Sequence, residues 1–471
     1  MSYVKESEFD KLRSEILEVT KEILRLVARR QSLCVKIGEL KQAKGLGVGD
    51  LTVERILREA IAREALSLGI DKDFAQRLTT LLIEECIKVQ PKPPERKVLT
   101  HRDIARMAET LERQGVKVIR MDVGEPDFRT PNVVVERAYQ EMKAGRSRYT
   151  EPKGRQELRQ AIADYVKTRF GAEIKADQVI ATVGGAFGVY LALASTVAPG
   201  DEVIVIDPSW PIYKSCVRYV GGRPIVLETR LEDDWEPDLN ELNEKVSSAT
   251  KAIVLNYPCN PTGKSLGKKT FKGIVEIAQD KKLTLISDEV YADYNFTGSE
   301  HNTVLRYTDV SYVMISSFSK SWGMTGFRVG FVISDLDRIN KMTAIQSMLI
   351  TCIPEFIQYA AIEALKCLDE ARRNSEVMKD RADAVCKALE SLPVSFYKPD
   401  GAMYVFPRID VNGIDGSEFA VKLLEKKNVS VAPGGAFGNY FNYFRMSLGQ
   451  PKEVLLEGVR RIGEFLSSIS S

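Results

Sequence analysis

VMISSFSKSWGMTGFRVG, residues Val313–Gly330, opens as an apolar, β-branched run and ends among small hydroxyl residues and glycines. Such a run, bounded by glycines, reads as a buried strand. Lys320 sits just past its end, and Arg328 follows eight residues later. A lysine at the end of a buried strand is costly to desolvate unless its amine is put to use. The natural use is a Schiff base, in which a neutral amine condenses with an aldehyde.

Outward from this stretch the text alternates strand and helix. Val179–Thr182, Glu202–Ile206, Ala252–Tyr257, Leu283–Ile286 and Val313–Ser317 read as five strands separated by helical segments. That pattern predicts an α/β fold, a mostly parallel sheet with helices on both faces. Ligands of such sheets gather at the carboxyl ends of the strands. Gly184, Trp210, Asn260, Asp288 and Lys320 each stand just past such an end. Singly, Asp288 reads as a helix cap, Trp210 as core and Arg328 as a surface charge; their shared position argues for one site.

Pyridoxal phosphate (PLP) would use every one of them. Lys320 would bond its aldehyde, and Asp288 would pair with its ring nitrogen. Asn260 and Tyr291 would hydrogen-bond its phenolate oxygen, and Trp210 would stack on the ring. Ser317, Arg328 and the amides of Gly185 and Ala186, at a helix N-terminus, would hold the phosphate. Residues 98–471 resemble the class I, fold-type I aminotransferases: Asn260-Pro261-Thr262-Gly263, Asp288-x-x-Tyr291, Ser317-x-Ser319-Lys320, and an arginine eight beyond. The resemblance implies that Gly124, Trp210, Asn260 and Arg445 bind the substrate, the arginine taking its α-carboxylate. It also implies that Tyr149 reaches the phosphate of the other subunit, and that Lys320, once released, moves the proton. A large domain is expected at about 145–343, and a smaller α/β domain from about 98–125 with 344–471. Within the latter, His101–Gly115 reads as a helix and Val116–Val123 as a strand.

The first ninety residues are of a different kind. Apolar residues recur at Leu12, Ile16, Val19, Ile23, Leu26, Leu33, Ile37 and Leu40, mostly three and four apart and without proline. This predicts one helix from about Lys5 to Lys44, too long to find all its packing within one chain. Helices at about 50–68 and 72–90 follow, then a proline-rich linker at 93–97. The unit, residues 1–92, is expected to be all-helical. Arg30 and Lys41, eleven residues apart, share one helical face. Residues 12–90 resemble the all-helical chorismate mutases, intertwined dimers of three-helix chains, through Leu12-Arg13, Ala28-Arg29-Arg30 and Ile37-Gly38-Glu39-Leu40-Lys41. The resemblance implies that Arg30, Lys41 and a partner's Arg13 bind the substrate carboxylates and ether oxygen. Asp50 and Glu54 would engage the ring hydroxyl, Cys86 would line the site, and Gln90 would bond the ether oxygen. Val53 stands where that family usually carries arginine, and Cys86 where serine is common.

The bulk numbers bound the remaining possibilities. A net charge of +2, and 16 Lys+Arg against 15 Asp+Glu in residues 1–90, argue against a nucleic-acid or membrane surface. They count against the competing reading of a PLP-fold regulator with a DNA-binding front, which should be more basic. A third reading keeps the aminotransferase and makes the helical unit a dimerisation or effector-binding module. No run approaches 18 apolar residues and the start is charged, so a cytoplasmic protein, a homodimer, is expected. Two histidines leave no metal cluster. The seven cysteines (Cys34, Cys86, Cys216, Cys259, Cys352, Cys367, Cys386) show no paired spacing and read as reduced thiols. Prephenate, the product of chorismate rearrangement, carries a pyruvyl group, so the two halves suggest a bifunctional enzyme. Prephenate or an aromatic 2-oxo acid would be the amino acceptor, and glutamate or aspartate the donor.

Overall fold

The computed structural model describes residues 8–44, 46, 48–91 and 98–469. The chain divides into two compact units between residues 97 and 98. The expected linker at 93–97 and the first residues of the expected long helix lie outside the described residues.

The first unit is three helices: α1 (Glu8–Ala43), α2 (Leu51–Ser67) and α3 (Lys72–Val89). At 36 residues α1 is about 54 Å long at 1.5 Å per residue. Among the described residues of α1 only Cys34 and Gly38 are buried. Leu12, Ile16, Val19, Ile23, Leu26, Leu33, Ile37 and Leu40 are all exposed. The apolar residues were expected to need a cover, and all eight stay exposed among the described residues. Where α1 does pack, Gly38 is the reason. A Cβ there would lie 2.6 Å from Pro91 Cδ and 2.7 Å from Gln90 Cβ, so the absent side chain lets the end of α3 close on α1. Asp71 starts α3 by accepting the Phe74 N–H (2.8 Å), and Asp50 accepts the Val53 N–H at the start of α2 (3.1 Å).

The second unit carries a seven-stranded sheet. Beside the short β1 (Ile119–Met121) of a separate sheet, its strands are β2 (Val179–Thr182), β3 (Glu202–Asp207), β4 (Arg223–Glu228), β5 (Thr250–Asn256), β6 (Thr284–Asp288), β7 (Ser311–Ser317) and β8 (Gly330–Ser334). Their order is β2-β8-β7-β6-β5-β3-β4. All run parallel except β8, which lies antiparallel between β2 and β7. Two strands were not expected. β4 is a sheet edge whose run contains Pro224, and edges are where proline is tolerated in a strand. β8 emerges from the Arg328-Val329-Gly330 segment that reads as a phosphate loop. Val313–Gly330 is therefore a strand, a loop, and the first residue of a neighbouring antiparallel strand, with Ser317 paired to Gly330.

One apolar core lies on each face of this sheet, and a third belongs to a smaller domain. The smaller domain has a four-stranded sheet in which β1 pairs with Val429–Pro433, followed by Phe444–Ser447 and Tyr404–Val405. Its expected strand, Val116–Val123, shrinks to β1 because its ends turn away from that partner. The division between domains falls later than residue 344. Ile339 and Met342 pack under one face of the large sheet, and Ile353, Ala360 and Ala364 under the other. The helix Leu368–Leu389 then passes from one core to the other, with Ala371 in the first and Met378 in the second. The large domain likewise begins before residue 145, since Val134 and Ala138 are in its core. Among the described residues no helix is long and apolar enough to cross a membrane.

Candidate functional site

The parallel register aligns the strand ends: Asn256 pairs with Asp288, and Asp288 with Ile315, two residues short of the end of β7. A cavity of about 410 Å³ opens there. It is lined by Gly124, Gly185, Ala186, Trp210, Asn260 and Asp288, and by Tyr291, Ser317, Lys320, Arg328 and Arg445. The site residues expected from several distant segments are thus brought together. Tyr149 is not among them; it is 86% exposed in the single chain.

Lys320 donates to the carbonyl of Gly124 (2.5 Å). Burial pulls its amine down to about 8, against the opposing pull of Glu125, and the Arg445 and Arg328 charges add to the fall. About a tenth of the amine is therefore neutral at pH 7, the form a nucleophile or base needs. Asp288, 2% exposed, accepts from the Tyr213 hydroxyl (2.7 Å) and from the Val290 N–H (3.3 Å). Burial raises its carboxyl to about 6, outweighing those hydrogen bonds. A carboxylate held this way favours a cationic partner.

Arg445, 3% exposed, donates to Asn260 Oδ1 (2.9 Å) and to the Asp122 carbonyl (2.5 Å). It lies over the ring of Tyr404 at 4.4 Å, and its buried Nε has no partner. A guanidinium with a spare N–H beside a cavity is suited to a carboxylate. The backbone N–H of Asn260 is fixed by Asn256 Oδ1 (3.0 Å), whose amide also holds the Asp288 carbonyl (3.0 Å).

Opposite these, the helix Gly184–Thr196 begins without a side-chain cap, so its first N–H groups face the cavity end unclaimed by the chain. Gly184 has φ +68°, and a Cβ on it would lie 2.6 Å from Arg328 Nη2. The glycine thus admits the guanidinium beside the helix start. Ser317 Oγ accepts the Ser319 N–H (3.2 Å), holding two hydroxyls at the same end. Uncapped amides, a guanidinium and hydroxyls together form an anion cradle.

Gly124 borders a tyrosine as well as the cavity. A Cβ there would sit 2.0 Å from Tyr404 Oη, so the glycine makes room for that tyrosine as well as for a ligand. Tyr404 in turn bonds Tyr291 hydroxyl to hydroxyl (2.7 Å). Tyr213, Asn256, Ser319 and Tyr404 were not anticipated. Tyr213, Asn256 and Ser319 each lie within four residues of a motif position, Tyr404 lies far from any, and an ordinary helix or strand tyrosine carries no local signal of its own. His301, the more buried histidine, pairs with Glu289 (2.9 Å) away from this cavity.

In the helical unit the structure brings Arg30 and Gln90 together around a feature that contradicts the expected thiols. Cys34 and Cys86 are joined by a disulfide, tying α1 to α3 across 52 residues with Cα atoms 5.3 Å apart. Two cysteines so far apart in sequence show no paired spacing, and only the close approach allowed by Gly38 makes them neighbours. Cys86 is accordingly not a free thiol for a ligand. Gln90, 6% exposed, donates to Cys86 Sγ (3.3 Å), and its Oε1 has no partner. Arg30 donates to the Leu82 carbonyl and passes 3.9 Å from Cys34 Sγ; burial lowers its affinity for the proton. Lys41 donates to the Val48 carbonyl (2.6 Å), and Glu54 is buried. Asp50 caps α2. Arg13 is 77% exposed, beside Asp10, and is not brought to the others within the chain.

Residues 116–462 match the family model for aminotransferase class I and II, and residues 12–91 that for chorismate mutase type II. An aspartate aminotransferase of Pyrococcus horikoshii is 38% identical over 354 residues, spanning 74% of this chain and 90% of that protein. An Aquifex aeolicus protein described as a probable aspartate/prephenate aminotransferase is 32% identical, over 78% of this chain and 95% of its own. The structure of aspartate aminotransferase from Thermus thermophilus with maleate superposes with a TM-score of 0.75 at 30% identity, covering 78% of this chain and 97% of that one.

Proposed function

Because the chain belongs to the class I and II aminotransferases and carries a chorismate mutase type II domain at its front, we propose that it makes prephenate from chorismate and transaminates prephenate or an aromatic 2-oxo acid. The observation that carries the transaminase half is the convergence of Lys320, Asp288, Asn260 and Arg445 on one cavity at the strand ends. The residues fit PLP. Lys320 offers an amine, buried Asp288 suits a cationic ring nitrogen, and the uncapped helix start with Ser317 and Arg328 suits a phosphate. Trp210 offers a ring face, and Asn260 and Tyr291 offer donors to a phenolate. Bound there, PLP supplies an aldehyde for amine exchange and a ring that delocalises the electron pair left at the substrate Cα.

Arg445 Nε and Asn260 orient the substrate by its carboxylate, so that the Cα–H faces Lys320. With PLP bound, the Lys320 amine would take the proton from the substrate Cα and hand it on to the cofactor's former aldehyde carbon, across the intervening nitrogen, and its lowered pKa would leave it free to do so. Tyr149, exposed in one chain, reaches the phosphate of a neighbouring subunit, and the active protein is a cytoplasmic homodimer. Aspartate or glutamate serves as donor; the names of the two relatives support aspartate.

In the helical unit Arg30, Lys41 and Arg13 donated by a partner subunit bind the two carboxylates of chorismate. Asp50 and Glu54 take its hydroxyl. Arg30 and the Gln90 amide stabilise the negative charge that develops on the ether oxygen, so the rearrangement needs no covalent catalyst. Purified protein tests both halves. Chorismate should disappear, and Arg30→Ala should abolish the loss. Prephenate, phenylpyruvate and 4-hydroxyphenylpyruvate should be compared as acceptors; inactivity on all three sinks the pathway reading.

A further inference from the structure

The disulfide lies one helical turn from each of two residues assigned above to the mutase reaction, with Cys34 four residues after Arg30 and Cys86 four before Gln90. We propose that Cys34–Cys86 is a redox-modification site that sets the orientation of the Gln90 amide, and so switches the mutase half on when reduced. The inference rests on the reading of Arg30 and Gln90 as mutase residues.

A disulfide sulfur has no hydrogen and can only accept, whereas a thiol can also donate. In the bridged state Gln90 turns its Nε2 to Cys86 Sγ (3.3 Å), and its buried Oε1 is left without a partner. A buried acceptor left unpaired forfeits the hydrogen bonds it made to water and gains none in return. When Cys86 carries a proton, the opposite orientation of the amide becomes available. The S–H donates to Oε1, the unpaired acceptor is satisfied, and Nε2 is released to donate to a substrate oxygen. The bridged state therefore occupies the very donor that the developing charge requires. Reduction also removes the covalent link between the two helices. It thereby relaxes the tie between α1 and α3 on which Arg30 and Gln90 are mounted.

The chemistry is a two-electron exchange with a dithiol. A thiolate attacks the sulfur of Cys86, the less buried of the two residues, and the Cys86–Cys34 bond breaks. Cys34 leaves as a thiolate, with the Arg30 guanidinium 3.9 Å from its sulfur, and takes up a proton. The second thiol of the reductant then attacks the mixed disulfide and releases Cys86 as a thiol. The dithiol ends as a disulfide, and the protein gains two electrons and two protons.

The two halves of the chain provide the test together. The full-length protein is equilibrated with oxidised or reduced dithiothreitol, and its thiols are counted after denaturation. Five are expected in the oxidised form and seven in the reduced. Chorismate loss should be faster in the seven-thiol form by about tenfold or more, since a misplacement near 1 Å of a catalytic group costs on the order of 10² in rate. Transamination should be the same in both. Cys34→Ser and Cys34→Ala should run at the reduced rate and ignore the reductant. Equal mutase rates in five- and seven-thiol protein overturn the switch while leaving the mutase reading intact, as does a failure to form the bridge under oxidation. Absence of chorismate loss in both forms and both variants overturns the mutase reading and the switch with it.

Discussion

Asp288→Asn should stabilise the cofactor-free protein while removing its transaminase activity. Asp288 is buried, and its carboxyl is raised from 3.8 to about 6, chiefly by desolvation. A raised carboxyl holds its proton more tightly in the folded state than in the unfolded one. Between those two pH values the wild type therefore loses stability as pH rises, and above about 6 the whole loss has been incurred. A shift of about two units corresponds to roughly 3 kcal/mol as an upper figure. Asparagine keeps the shape and both contacts, because its amide can donate to the Tyr213 hydroxyl while its oxygen accepts the Val290 N–H. At about 2.1 cal/mol/K per residue over a unit of this size, that is a rise of roughly 4 °C in melting temperature at pH 8. The gap should close as pH falls through 6 towards 4. With PLP added the order should reverse, because only the carboxylate gains a cationic partner. Calorimetric scans across pH, with and without PLP, give the answer. An Asn variant less stable than wild type at pH 8 without cofactor would refute the claim that an uncompensated charge is buried there.

Two further outcomes follow from the same cavity. Gly124→Ala should lower transaminase kcat/KM by about 10²-fold and cost about 1–3 kcal/mol in a thermal melt, because the new methyl displaces Tyr404 from Tyr291; adding Tyr404→Phe should restore part of the stability. Capture of PLP by the cofactor-free protein, followed by absorbance, should accelerate as pH rises through about 8, where the Lys320 amine is half neutral, and level off about one unit higher; a rate that keeps climbing beyond pH 10 would contradict the lowered pKa.

The chemistry-bearing residues were legible because each follows a short apolar run, and a parallel sheet gathers such positions at one edge. Lys320, Asp288 and Asn260 were found in this way. What escaped shows what the text leaves out. β8 could not be separated from the loop before it, because Arg328-Val329-Gly330 satisfies both descriptions and only pairing with β2 and β7 decides. Tyr213 and Tyr404 owe their roles to partners 75 and 113 residues away, Asp288 and Tyr291. The Cys34–Cys86 bond depends on an approach of two helices that a single glycine permits. The domain boundary near 344 was misplaced because helices that cover a sheet look like helices anywhere.

The apolar side of α1 has a consequence for how the chain holds together in solution. Eight large side chains, from Leu12 to Leu40, stand about half or more exposed on a helix that buries only Cys34 and Gly38. Covering them would contribute on the order of 10 kcal/mol per copy. If a second copy supplies the cover, the stability of the front unit is a bimolecular quantity, set by mass action as much as by sequence. The sheet unit keeps its cores within one chain. Dilution should thus separate the two melting transitions, the helical one sliding to lower temperature with protein concentration faster than the other.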